Sequence, residues 1–107
     1  MVGAALLLAA AVSAPRPIVL VNAAGGALEE LSIRPSQVSA SWERYGAGRL
    51  YQGARASMPS PGGQLCAFDI RARVGGAPVT WVLVNLCDVK SVTLNRRPDG
   101  TLWADYD

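Results

Sequence analysis

Apolar and polar residues alternate most cleanly between residues 66 and 74. Cys66, Phe68, Ile70, Ala72 and Val74 fall on alternate positions, with Ala67, Asp69, Arg71 and Arg73 between them. A period of two with one apolar and one largely charged face predicts a half-buried strand. Gly75-Gly76-Ala77-Pro78 breaks the pattern with residues that favour a turn. Residues 79–86 then run apolar at nearly every position, rich in β-branched and aromatic side chains, which predicts a strand covered on both faces. Pairing the two strands about the middle of the turn sets Val74 opposite Val79, Ala72 opposite Trp81, Ile70 opposite Leu83 and Phe68 opposite Asn85. It also sets Cys66 opposite Cys87, at a separation that a disulfide spans. Such a bridge would contribute roughly 3 kcal/mol, mainly by restricting the unfolded chain. The alternative is a pair of reduced, buried thiols.

The same patterns extend along the chain. Residues 18–22 predict a strand, residues 23–26 a turn, and residues 27–33 a returning strand. Leu31 and Ile33 share a face that Leu28 does not join, so a bulge is expected near Glu29-Glu30. One turn of helix over residues 27–31 competes, because Ala, Leu and Glu favour helix. Pro35 ends the segment. Residues 36–64 are irregular, and so long a loop without structure is improbable in a small domain. A short strand is therefore expected near residues 55–58. Trp42, Tyr45, Leu50 and Tyr51 are expected to fold back over one end of the core. Residues 89–95 predict a strand, Arg96-Arg97-Pro98-Asp99-Gly100 a turn, and residues 101–106 a returning edge strand. The expected fold class is all-β: a small antiparallel β-sandwich or open barrel of successive hairpins, with one cross-strand disulfide.

Composition narrows the class. The chain has 107 residues, enough for a single domain. Ala and Val supply much of its apolar half, so the core is thin and a covalent staple is useful. Residues 2–14 form an apolar run too short for a membrane span, which needs about 20 residues. Val12-Ser13-Ala14 puts small residues where signal peptidase cuts. Residues 1–14 are read as a signal peptide and residues 15–107 as a single β domain, periplasmic or secreted. No Lys or Arg precedes the run and Pro15 would follow the cut, so either the start lies upstream or the cleavage lies elsewhere. A buried helix of the mature fold is the competing reading. Export favours the disulfide, since oxidising compartments preserve it. Ten basic and eight acidic residues leave a net charge of only +2. The arginines are scattered, so no nucleic-acid footprint is expected.

In order, the parts are Val21-Asn22 with Gly25-Gly26, Arg34-Pro35-Ser36, residues 42–50 opening on Trp42, Pro61-Gly62, Cys66-Ala67-Phe68-Asp69-Ile70-Arg71, and Asn85-Leu86-Cys87. This order resembles a family of small exported proteobacterial proteins, often labelled Tat-pathway signal or hypothetical proteins, with a two-cysteine β-domain. The likeness covers about residues 18 to 88, and its most specific element is the Cys66–Arg71 stretch with Cys87. Trp42-Glu43 stands where the family often has Trp-Gly, and no twin-arginine signal is present. The resemblance implies fold and export and carries no activity.

Candidate chemistry is sparse. Without histidine there is no His-dependent triad and no histidine metal ligand. Cys66 and Cys87 lack the close spacing of redox pairs, and alone they cannot complete a zinc site. Lys90, the only lysine, has no serine at catalytic spacing. Asp69 and Asp88 could converge near the cysteines as a minimal carboxylate hydrolase or a weak calcium site. Arg71, two residues along the strand from Asp69, instead predicts a surface ion pair. No catalytic residue, metal or cofactor is expected. The candidate binding loop carries Trp42, Tyr45, Arg49 and Tyr51, because loops on a rigid sandwich and aromatic side chains make contact surfaces. The expected function is a non-enzymatic binding or envelope-accessory module for a protein or envelope component. A secreted inhibitor or effector is the alternative, ahead of the hydrolase.

Overall fold

The computed structural model describes residues 16–46 and 48–107, so the candidate signal segment lies outside the described residues. Eight strands follow in order: β1 (Ile18–Ala23), β2 (Glu29–Pro35), β3 (Glu43–Arg44), β4 (Arg55–Met58), β5 (Ala67–Val74), β6 (Ala77–Asn85), β7 (Ser91–Arg96) and β8 (Leu102–Tyr106). They form two four-stranded sheets, β4-β1-β7-β8 and β3-β2-β5-β6. The all-β sandwich and the Cys66–Cys87 disulfide are thus as the sequence predicts. Strand β1 runs parallel to β7, and the other pairs are antiparallel. Among the described residues no helix is long and apolar enough to cross a membrane.

Period-two alternation supplies the core. Ile18 and Leu20 of β1 and Val92 and Leu94 of β7 meet Leu31, Ile33, Ile70, Ala72, Val74 and Trp81 of the other sheet, all buried. Each fully buried aliphatic or aromatic side chain of this kind stabilises by roughly 1.5–3 kcal/mol.

The first two strands do not form the expected hairpin. They belong to different sheets, and residues 24–28 carry the chain from one to the other. Asn22 directs the crossing. It is fully buried at the end of β1. Its Oδ1 accepts from the Ala24 amide at 2.9 Å, and its Nδ2 donates to the carbonyls of Gly26 at 2.8 Å and Leu50 at 2.9 Å. The side chain thereby closes a local turn and fastens it to the segment before β4. Leu28 and Leu50 exchange backbone hydrogen bonds just beyond, where a helical turn at residues 27–31 was the competing expectation.

The central hairpin is tighter than the sequence reading. Gly75 and Gly76, at φ 59° and 83°, form a two-residue turn whose twist suits the strands. Ala77 and Pro78 therefore join β6, and Val74 opposes Ala77, Ala72 opposes Val79 and Ile70 opposes Trp81. Farther on, β6 inserts an extra residue. Phe68 opposes Val84, so Asp69 faces both Val82 and Leu83, and Leu83 takes φ 55°. The bulge recovers one residue of the offset. The Leu86 amide then bonds the Cys66 carbonyl, and Cys87 follows with its Cα 5.1 Å from that of Cys66. The cysteines meet as expected, through a different register.

Strand β6 is an edge strand rather than one covered on both faces: Val82 is 62% and Leu83 52% exposed. It abuts β8 of the other sheet. The Trp81 indole donates to the Asn95 carbonyl, and the Asn85 amide donates to the Tyr106 hydroxyl, each at 2.9 Å.

Replacing Asn22 by alanine would leave the Gly26 carbonyl and the Ala24 amide without these partners and would take one of two donors from the Leu50 carbonyl, which keeps the Leu28 amide. The expected cost is roughly 3 kcal/mol in urea unfolding. A midpoint unchanged from wild type would show that water serves those groups equally well.

Candidate functional site

The outer face of the β3-β2-β5-β6 sheet gathers most of the unusual side chains. Alternation that turns Leu31, Ile33, Ile70 and Ala72 inward turns Ser32, Arg34, Arg71 and Arg73 outward. Register does the rest. Arg44 opposes Ser32, Ser32 opposes Arg71, and Arg71 opposes Thr80, so the four form one row across the sheet. Neighbouring strands lie about 4.8 Å apart, which puts Arg44 and Arg71 about 10 Å apart at Cα with Ser32 between them. Arg44, Ser32, Arg71, Arg73 and Glu30 line one open groove.

The loop after β2 brings Trp42 back over this face. The guanidinium carbons of Arg34 and Arg71 lie 4.4 Å and 4.3 Å from the centroid of its ring. Each such contact is worth about 0.5–1 kcal/mol when exposed and more when desolvated. Stacking also fixes two long side chains that would otherwise be mobile.

Asp69 supports the stack from beneath. It is buried, at 7% exposure, rather than standing at the surface. Its Oδ1 accepts from the Ser36 hydroxyl at 2.6 Å and from the Leu83 amide at 3.2 Å, and its Oδ2 lies 3.6 Å from Arg34 Nε. The expected Asp69–Arg71 surface pair is therefore not formed. The bulge frees a backbone N–H at Leu83, and the Asp69 carboxylate turns in to accept it at 3.2 Å, with the Ser36 hydroxyl oxygen a second acceptor at 3.3 Å. Arg71 is left to Trp42.

A second bulge, at the expected place in β2, lies between Glu29 and Ser32 and holds Glu30 at φ 54°. Glu30 lies 3.4 Å from Arg73. Among the described residues, then, Arg34 and Arg73 have carboxylate partners, whereas Arg44 and Arg71 have none within ion-pair distance.

The structure separates the residues of the candidate loop. Trp42 is half-buried on the arginine face. Tyr45 is 3% exposed in the core, with its hydroxyl donating to the Pro59 carbonyl at 3.0 Å. Leu50 is buried against Leu28. Arg49 pairs with Glu29 and lies 5.8 Å from the Tyr51 ring, and Tyr51 is 63% exposed. Arg49 borders the groove that adjoins the arginine row through Glu30 and Arg44. Asp88 stands exposed in the turn after Cys87, and no hydrogen bond or ion pair joins it to Asp69 among the described residues. Comparison of the chain with protein-family models, with curated proteins and with solved structures finds no match. Function is therefore read from the geometry.

Arg34, Arg44, Arg71 and Ser32 are the residues that sequence reasoning missed. Alternation already put Arg71 and Arg73 on a polar face. The missing fact was that β2, β3 and β5 are neighbours, which turns scattered arginines into one patch.

Burial pushes the Tyr45 phenol from its ordinary 10.0 up to about 12. The unfolded chain releases this proton near pH 10, whereas the folded chain holds it longer. The stabilisation is complete below pH 10 and is lost as the pH rises towards about 12. Tyr45→Phe should cost about 1 kcal/mol at neutral pH through the lost Pro59 bond. Its deficit to wild type should narrow between pH 10 and 12 in chemical unfolding. A deficit that stayed constant across that window would contradict the burial argument.

Proposed function

We propose that the domain is an exported, disulfide-stapled binding module, periplasmic or secreted, that acts without catalysis. Its contact surface is the arginine–tryptophan face of the β3-β2-β5-β6 sheet rather than the contiguous loop of residues 42–51. The observation that carries this reading is Trp42 with the guanidinium groups of Arg34 and Arg71 on its ring. Arginine and tryptophan are the side chains most often found at the energetic centre of contact surfaces. Their fixed placement lowers the ordering cost of binding. A non-catalytic role is supported by Asp69, whose oxygens are engaged by Ser36, Leu83 and Arg34. Export is supported by the disulfide, which suits an oxidising compartment.

A second reading, a secreted inhibitor or effector that docks on another protein, is favoured by one feature. Val82, Leu83, Trp103 and Tyr106 leave apolar surface open along the seam where β6 meets β8.

Intact mass of the protein recovered from its host tests export. The expected product starts near residue 15, is lighter by the two hydrogens of the bridge and has no titratable thiol. A full-length product with two free thiols would sink the export reading. Retention on isolated cell envelopes tests the surface. Trp42→Ala should reduce it at least tenfold with little change in thermal midpoint, while Trp103→Ala should leave it intact. The reverse pattern would favour the seam.

A further inference from the structure

We infer that the row Arg44–Ser32–Arg71 is a phosphate-binding site, recognising a phosphate group on a small molecule or a headgroup. This rests on the proposed use of the face for binding and goes further by naming what it binds. Three observations carry it.

The first is charge. Glu30 lies against Arg73 and Asp69 against Arg34, whereas Arg44 and Arg71 have no carboxylate partner among the described residues. Two uncompensated positive charges thus face the same groove. A phosphate monoester carries about −1.5 to −2 at pH 7 and matches that charge in one group.

The second is the presentation of donors. Arg71 lies over the Trp42 ring, so one face of its guanidinium is taken while the N–H groups around its rim stay available. A stacked guanidinium is already ordered and loses less freedom on binding.

The third is direction. Arg44, Ser32 and Arg71 come from three adjacent strands in one register row. The row therefore sets a hydroxyl between two arginines, and all three line one groove. A carboxylate offers two oxygens in a plane, which one fork satisfies. A tetrahedral oxyanion offers further oxygens that need donors from other directions. The Ser32 hydroxyl now reaches the Glu30 carbonyl only at a long 3.3 Å, so rotating it towards a ligand gives up little.

The test is a titration of isotope-labelled protein with inorganic phosphate at constant ionic strength, followed by amide resonances. Ser32, Arg44 and Arg71 should shift saturably, while Leu20 and Val92 of the other sheet stay still. Arg44→Gln and Arg71→Gln should each weaken binding at least tenfold, and the unchanged Leu20 and Val92 resonances would show that both variants are folded. Acetate at the same ionic strength should have little effect. Vesicles with and without a phosphomonoester headgroup identify the source. A response to free phosphate alone assigns a soluble ligand, and Arg44- and Arg71-dependent binding to the phosphomonoester vesicles assigns a headgroup. No saturable response to either probe would overturn the site. So would a response that survives both substitutions or is matched by acetate. Because the titration uses purified protein, a failure of export would not affect it. Envelope retention lost in Trp42→Ala beside a blank phosphate titration would remove the ligand class alone.

Discussion

The carboxylate of Asp69 is the contact on which both the second sheet and its outer face depend. A bulged edge strand leaves a backbone N–H without a partner, and Asp69 accepts it together with the Ser36 hydroxyl. A hydrogen bond to a charged acceptor of this kind contributes about 1.5–3 kcal/mol when buried and less at a half-exposed edge such as this one. The same carboxylate lies against Arg34. Arg34 stacks on Trp42, and Trp42 holds Arg71. Fold and candidate site are thus joined through one buried acid.

The rest of the architecture keeps that face in place. Asn22 sends the chain from the first sheet to the second, so that β2 rather than a hairpin partner of β1 lies beside β5. That adjacency sets Ser32 between Arg44 and Arg71. On the far side, the disulfide closes the open end of the β5–β6 hairpin just beyond the Leu83 bulge. Arg71 and Arg73 are therefore carried by a hairpin closed at both ends. A rigid base of this kind lets long cationic side chains act as an ordered array instead of mobile charges.

Much of the fold was legible in the sequence because period-two patterning is local. The strands at residues 18–22 and 66–74, the short strand at Arg55–Met58 and the bulge near Glu29-Glu30 all follow from neighbours in sequence. The cysteine pairing was legible too, although two register differences lay between the reading and the structure. What was not legible is long-range. Nothing local says that Asn22 begins a crossing rather than a hairpin, or that β1 runs parallel to β7. An apolar run such as Val82-Leu83 reads as buried, yet β6 is an edge. The candidate site shows the same division. Trp42 could be singled out by residue type alone. Tyr45 and Leu50, in the same stretch, face the core, and the arginines around Trp42 come from strands far away in the chain.

The most direct measurement is the indole N–H resonance of Trp42 in Asp69→Asn. Asparagine keeps an oxygen for Ser36 and the Leu83 amide and puts a neutral NH2 donor in place of the charged oxygen beside Arg34 Nε. The Trp42 resonance should move, the Trp103 resonance should not, and the Leu83 amide should stay protected from hydrogen exchange. An unmoved Trp42 resonance, with Leu83 protection lost, would contradict the account. Asp69 would then hold the bulge and have no part in ordering the arginine face.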